Sequence, residues 1–150
     1  SVGSDVILDR WARVCGMPGD LMLLDCMSQE IQAVPFREED VSVLITNSNI
    51  KHELTGGEYA ERRRQCESAL GKLDLLSWRD VRLADLEAAR DRLNDDELAC
   101  GRHVVTRVAD TFVASIFWAY GHGYFVGVLM YYSHDSLTKD FRVRCDERVA

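Results

Sequence analysis

Two side chains in the first sixty residues have the chemistry to handle a hydroxyl-bearing ligand. Asp9, in DVILDRWARV, is a carboxylate beside Arg10. It could accept a proton or bind a hydroxyl-rich molecule, and it could equally be a solvated residue of an ordinary helix. Tyr59 brings a ring face and a phenolic hydroxyl, both useful against a sugar and both equally at home in the packing of a first helical turn. Asn47, Ser48 and Asn49 follow an apolar run, where polar side chains line a cleft or cap a loop. Arg62, Arg63 and Arg64 could each meet a phosphate, but three consecutive helical positions face different ways and make no joint clamp. Ion pairing with nearby glutamates is the plainer expectation. His52, His103, His122 and His134 show no metal-ligand spacing, so no metal site is expected, and His103 reads as a packed, hydrogen-bonded histidine. Neither a glycine-rich phosphate loop nor a G-x-S-x-G elbow occurs.

These residues need elements to hold them. Residues 5 to 14 carry apolar side chains at helical spacing, and Gly16, Pro18 and Gly19 end that helix. Leu21 to Cys26 reads as a strand, Ser28 and Gln29 as a turn, and Glu30 to Pro35 as the hairpin partner. Residues 36 to 40 form a polar loop. Val41 to Thr46 is rich in β-branched residues and predicts a third strand. Thr55 with Glu58 predicts a capping box for a helix running toward Leu70, with Gly71 as its C-cap. Ser77 with Asp80 suggests another cap, and Arg82 to Leu93 keeps a helical period. Asn94 to Asp96 start a helix over Glu97 to Tyr120, and a last helix follows Gly121 to Gly123 and reaches about Lys139. The expected class is α+β: three strands near the N-terminus, then a helix-rich portion.

Composition limits the function. The 150 residues are 47% hydrophobic, enough for one domain with a real core, and the net charge of -7 gives no reason to expect nucleic acid as a partner. Five cysteines, an odd count with no C-x-x-C, read as free thiols in a reducing compartment, hence a cytoplasmic protein. Residues 111 to 132 contain no Lys, Arg, Asp or Glu and are long enough to span a bilayer. Gly121-His122-Gly123 divides them, so a buried helical hairpin is expected rather than a membrane span, with a protein partner as a further use of that apolar segment.

The string LITNSNIKHELTGGEYAERRRQC, ending at Cys66, resembles the galactokinase branch of the GHMP small-molecule kinases. LLDC before it, and RLADLEAARD, RHVV and LMYYSHDSLTKDFRVRC after it, resemble the same family in the same order. The resemblance covers nearly the whole chain but only the middle portion of such an enzyme. It implies a GHMP-kinase-like fold, incomplete relative to the family, comprising the end of the N-terminal lobe and the helical part of the C-terminal lobe. It also implies transfer of the γ-phosphoryl group of ATP, with magnesium, to the 1-hydroxyl of α-D-galactose. Asp9 occupies the place of the catalytic base and Tyr59 that of the sugar-contacting tyrosine. Around Asp9 the family has glycine and methionine before the aspartate and glutamine after it; here stand Val6, Leu8 and Arg10. Arg10 could keep Asp9 ionised or hold it in an ion pair. The family's phosphate-binding Gly/Ser loop finds no match, which implies that these 150 residues alone are inactive. A non-catalytic sugar sensor or interaction protein is the alternative, and an N-acetylgalactosamine kinase a third reading that the RRRQC unit disfavours.

Overall fold

The computed structural model describes residues 11–36, 41–46 and 57–142. The elements are helix α1 (residues 11–15), β1 (Asp20–Leu24), β2 (Ile31–Pro35), α2 (Gly57–Lys72), α3 (Leu83–Ala88), α4 (Asp95–Ala119) and α5 (Gly123–Lys139), with single 3-10 turns at Trp78–Asp80 and Arg90–Arg92. The chain forms two compact units, and α4 and α5 contribute residues to both.

The first unit comprises Ser1–Ser42 and Phe112–Gly127. Its antiparallel hairpin pairs Asp20 with Pro35, Met22 with Ala33 and Leu24 with Ile31. The connecting turn is set by Asp25, whose Oδ1 accepts from the Met27 and Ser28 N–H groups at 2.8 and 3.0 Å. This is the local bond by which aspartate favours turns over strands. Gln29 takes the left-handed conformation there, with φ of 61°. Val34 is buried. Leu21, Leu23, Val34, Ser115 and Trp118 line an apolar cleft of about 150 Å³. Phe36 meets the Trp118 ring at a centroid distance of 4.9 Å. The end of α4 is fixed by Gly121, with φ of 73°. Gly121 N–H donates to Trp118 O at 3.1 Å and His122 N–H to Phe117 O at 2.8 Å. This is the glycine-dependent helix ending that frees the chain to reverse.

The second unit comprises Val43–Thr111 and Val128–Ala150. Its core gathers Ala69 of α2, Leu86 and Ala89 of the α3 region, Val81, Leu93, and Leu98 of α4, with Trp78 and Val105 against it. Full burial of one leucine such as Leu86 contributes roughly 1.5–3 kcal/mol. Gly101 permits the close approach of α4 to this cluster, since a Cβ there would stand 2.9 Å from Leu86 Cδ2 and 3.0 Å from Trp78 Cη2.

The α+β class, the hairpin, and the long helices meeting at Gly121 to Gly123 are as expected. Four details differ. Residues 41–46 form no strand; Leu44 and Ile45 are 88% and 89% exposed, and the sheet among the described residues has two strands. β-Branched residues favour a pleated surface, but only a ladder partner makes a strand. Gly71 lies inside α2 rather than after it. The left-handed residue that follows is Asp74, with φ of 60°, a role short polar side chains can fill. The helical period over residues 82 to 93 is split into α3 and a 3-10 turn. The helical hairpin is present but not buried: Phe112, Tyr120, Tyr124 and Tyr131 are exposed. Among the described residues no helix is long and apolar enough to cross a membrane.

Candidate functional site

Helix α2 carries the one expected site residue that the structure describes. Its sequence is rich in strong helix formers, and its exposed side is laced by ion pairs. Arg63 Nε meets Glu67 Oε1 at 3.0 Å, four residues on, and Arg64 pairs with Glu61. Tyr59 stands in the first turn with 59% of its surface exposed. Asp9, Asn47, Ser48, Asn49, His52, Thr55 and the Glu58 side chain lie outside the described residues.

The three arginines do diverge. Arg62 alone points inward: its Nη1 donates to Gln65 Oε1 at 2.7 Å and lies 3.7 Å from Asp96 of α4. Asp96 also takes Arg142 at 2.9 Å. Each arginine thus has an acidic or amide partner already in place, as the one-residue spacing suggested.

The strongest polar junction is at Glu97, which sequence reasoning passed over. Glu97 is buried; its Oε1 accepts from Ser68 Oγ at 2.7 Å, and its Oε2 from Lys72 Nζ at 2.7 Å and from the Asn94 N–H at 2.8 Å. Asn94 Oδ1 in return accepts the Glu97 N–H at 2.8 Å. This is a reciprocal capping box at the start of α4, and the same carboxylate ties α4 to α2. Burial alone would raise its pKa; the hydrogen bonds from Lys72, Ser68 and Asn94 outweigh that and hold it below the ordinary value of 4.5. The signal was available, because Asn94 followed by Glu97 has capping-box spacing.

A second buried cluster centres on His103. Its Nδ1 lies 2.9 Å from Ser136 Oγ, Ser136 donates to Asp140 Oδ2 at 2.9 Å, and the ring stacks on Phe141 at 4.5 Å. Burial, then the positive charge of Arg107, push His103 below its ordinary pKa, with Asp140 opposing. The hydroxyl sits between ring and carboxylate. Since it donates to Asp140, the ring nitrogen is the donor to it, which is the order of a structural network and not of an activated nucleophile. The expectation of a packed histidine holds. Among the described residues no group of three His, Cys, Asp or Glu side chains could hold a metal ion.

A small β-hairpin followed by a mostly helical chain, incomplete by comparison with its relatives, is an α+β arrangement of the GHMP-kinase type. Within that class the chain is galactokinase-like. It is 40% identical to the galactokinase of Homo sapiens over 141 residues, covering 94% of this chain and 36% of the human protein. It is 34% identical to that of Streptomyces coelicolor over 151 residues, covering 97% of this chain and 39% of that protein. Among solved structures it is similar to Lactococcus lactis galactokinase complexed with galactose, with a TM-score of 0.85 at 27% identity over 94% of this chain and 38% of that one. The chain thus spans a little over a third of the length of these relatives. No protein-family model matches it.

Proposed function

We propose that these residues supply part of the sugar-handling machinery of a galactokinase, transferring a phosphoryl group from MgATP to the 1-hydroxyl of α-D-galactose. The observation that carries this reading is the similarity to galactokinases over 94% of the chain, including a structure complexed with galactose. In the proposed reaction the galactose O1–phosphorus bond forms, the bond from the γ-phosphorus to the β–γ bridging oxygen breaks, and ADP leaves. Asp9 orients the hydroxyl and takes its proton. Tyr59, largely exposed, lies along the sugar ring. Such a reaction depends on positioning and charge stabilisation more than on covalent chemistry. In domain terms, residues 1–150 represent the end of the N-terminal lobe and the helical part of the C-terminal lobe. The sequence has no loop for the nucleotide phosphates. The 150 residues alone are therefore assigned no turnover. The proposed setting is the cytoplasm.

A chimera tests this: these residues replace the matching stretch of the Lactococcus lactis galactokinase, and ATP-dependent galactose 1-phosphate formation is measured. Turnover by the chimera is expected, with none from the isolated chain. In the chimera, Asp9→Asn should cost about 100-fold or more in kcat, and Tyr59→Phe should act mainly on KM. Undiminished turnover by the Asp9→Asn chimera removes Asp9 from the mechanism. The exposed Phe112, Tyr120 and Tyr124 favour a second reading, an interaction protein whose partner docks on the apolar 111–132 segment. A folded chimera that binds galactose without turnover would favour that non-catalytic reading.

A further inference from the structure

The hairpin of the first unit has one blunted edge and one open edge. Its ladder is anchored at both ends: Phe36 N–H donates to Gly19 O at 2.8 Å and Asp25 N–H to Glu30 O at 2.9 Å. Antiparallel pairs alternate between bonded and non-bonded residues. In this register, Leu21 opposite Val34 and Leu23 opposite Gln32 are therefore the bonded pairs. Asp20, Met22 and Leu24 turn their backbone groups outward. The Asp20 N–H donates to Met17 O at 3.2 Å, whereas Met22 and Leu24 have no strand beyond them among the described residues. The outer edge of β2 differs. It presents Ile31 and Ala33 and ends at Pro35, which has no N–H to offer. β1, with the sequence DLMLL, carries no proline or lysine and no bulge, the usual devices that keep an edge from pairing.

We propose that the open edge of β1 binds β1 of a second copy of this chain, antiparallel about a two-fold axis at Met22. A two-fold contact must be self-complementary, and this strand is. Met22 meets Met22 of the second copy, and the two exchange both N–H···O bonds. To either side, the Leu24 N–H donates to the carbonyl of the second copy's Asp20. Charge selects this register. Each Asp20 lies opposite a Leu24 and each Asp25 opposite a Gly19, so no carboxylate faces another in a chain whose net charge is -7. Centring the pair on Asp20 would oppose two carboxylates. Centring it on Leu24 would run into the turn that Asp25 Oδ1 holds through the Met27 and Ser28 N–H groups. The apolar side of the strand gains cover as well. Leu21 is 39% exposed, and in this register it lies beside the second copy's Leu23, on the face where both residues line the apolar cleft. The contact adds a strand to an existing edge, with main-chain bonds giving affinity and alternate side chains giving register.

Sedimentation velocity on the whole chain tests this. A monomer–dimer equilibrium that shifts with protein concentration is expected. Met22→Lys and Met22→Glu each set like charges opposite one another at the axis, while the main-chain bonds to β2 stay in place. Each variant alone should associate more weakly by about tenfold or more. Mixed in equal amounts, the two should recover the dimer, a result that misfolded variants could not give. Ala33→Lys puts the same charge on the outer edge of β2 and should leave association unchanged. A wild-type chain that stays monomeric at every concentration overturns the proposal. So does a dimer that Met22→Lys leaves intact, because another surface, such as the exposed aromatic residues of α4, then holds it. Slow hydrogen exchange at the Met22 and Leu24 amides of a monomer would show the edge covered by another segment of the same chain, and would overturn it too. No sugar or nucleotide enters the assay, so none of these outcomes bears on the galactokinase reading.

Discussion

Glu97→Ala tests the junction that joins α2 to α4. The variant removes an acceptor for three donors: Ser68 Oγ, Lys72 Nζ and the Asn94 N–H. A hydrogen bond to a charged group is worth about 1.5–3 kcal/mol and a neutral one about 1 kcal/mol. The Lys72 contribution belongs at the low end, because its side chain is 41% exposed against 4% for Glu97 and its ammonium regains water. The cap bond to Asn94 has no such escape within its helical turn. Together the loss is about 3 kcal/mol, a fall in Tm of roughly 6–12 °C for a chain of this size. Glu97→Gln keeps the volume but turns an amide donor toward at least one existing donor, and should lose about 2 kcal/mol. The pH dependence separates charge from shape. The folded-state pKa of Glu97 is depressed below 4.5, so its contribution is fully present above that value and is lost as pH falls through the lower, folded pKa. Urea unfolding followed by circular dichroism at neutral pH and at pH values below 4.5 should show the gap between wild type and Glu97→Gln shrinking in acid. A loss under about 0.5 kcal/mol for Glu97→Ala, the behaviour of an ordinary surface residue, or a gap that does not change with pH, would refute the reasoning.

Three further predictions follow from the packing and from His103. Gly101→Ala drives a methyl into Leu86 and Trp78; overpacking of about 1–3 kcal/mol outweighs a helix-propensity gain of about 1 kcal/mol, so a net loss near 1 kcal/mol is expected in urea unfolding. Gly127→Ala, where a Cβ meets nothing within 4 Å, should instead gain about 0.5–1 kcal/mol. His103 faces Arg107 and Asp140, and its pKa lies below the ordinary 6.5. The unfolded chain binds that proton first, so the stability tied to His103 is present above 6.5 and is lost as pH falls through 6.5 toward the folded pKa. An NMR titration should place its midpoint below 6.5, and His103→Gln should flatten the stability slope across that range.

The parts of the fold written in local chemistry were readable. Gly121-His122-Gly123 announced the break between α4 and α5, because a left-handed glycine is a local requirement. Ser28 and Gln29 between two apolar runs announced the hairpin, although Asp25, which anchors the turn, was assigned to the strand before it. The helix bearing Tyr59 was readable for the same reason, though the exposure of Tyr59 was not, since a helical position does not say which face finds a neighbour. Contacts distant in sequence were hidden. Gln65 and Cys100 stand 35 positions apart, and nothing in either segment marks the other. Glu97 was half legible: its cap to Asn94 is local, whereas Ser68 and Lys72 come from another helix.

Two apolar stretches misled for different physical reasons. In residues 41–46 the side chains are suited to a strand, but hydrogen bonding between strands is a property of pairs, and propensity carries no information about a partner. Residues 111–132 lack charge, which invites a reading of burial. Yet lack of charge is not lack of polarity. Tyr120, Tyr124, Tyr131 and Tyr132 are all exposed, and each can lay its ring along a helix while leaving its hydroxyl in water. With Ser115 and His122 between them, an uncharged segment can face solvent on one side and pack on the other. A count of charged residues treats these tyrosines as phenylalanines; Phe112 and Met130 are exposed as well, so the tyrosine hydroxyls account for only part of the open surface.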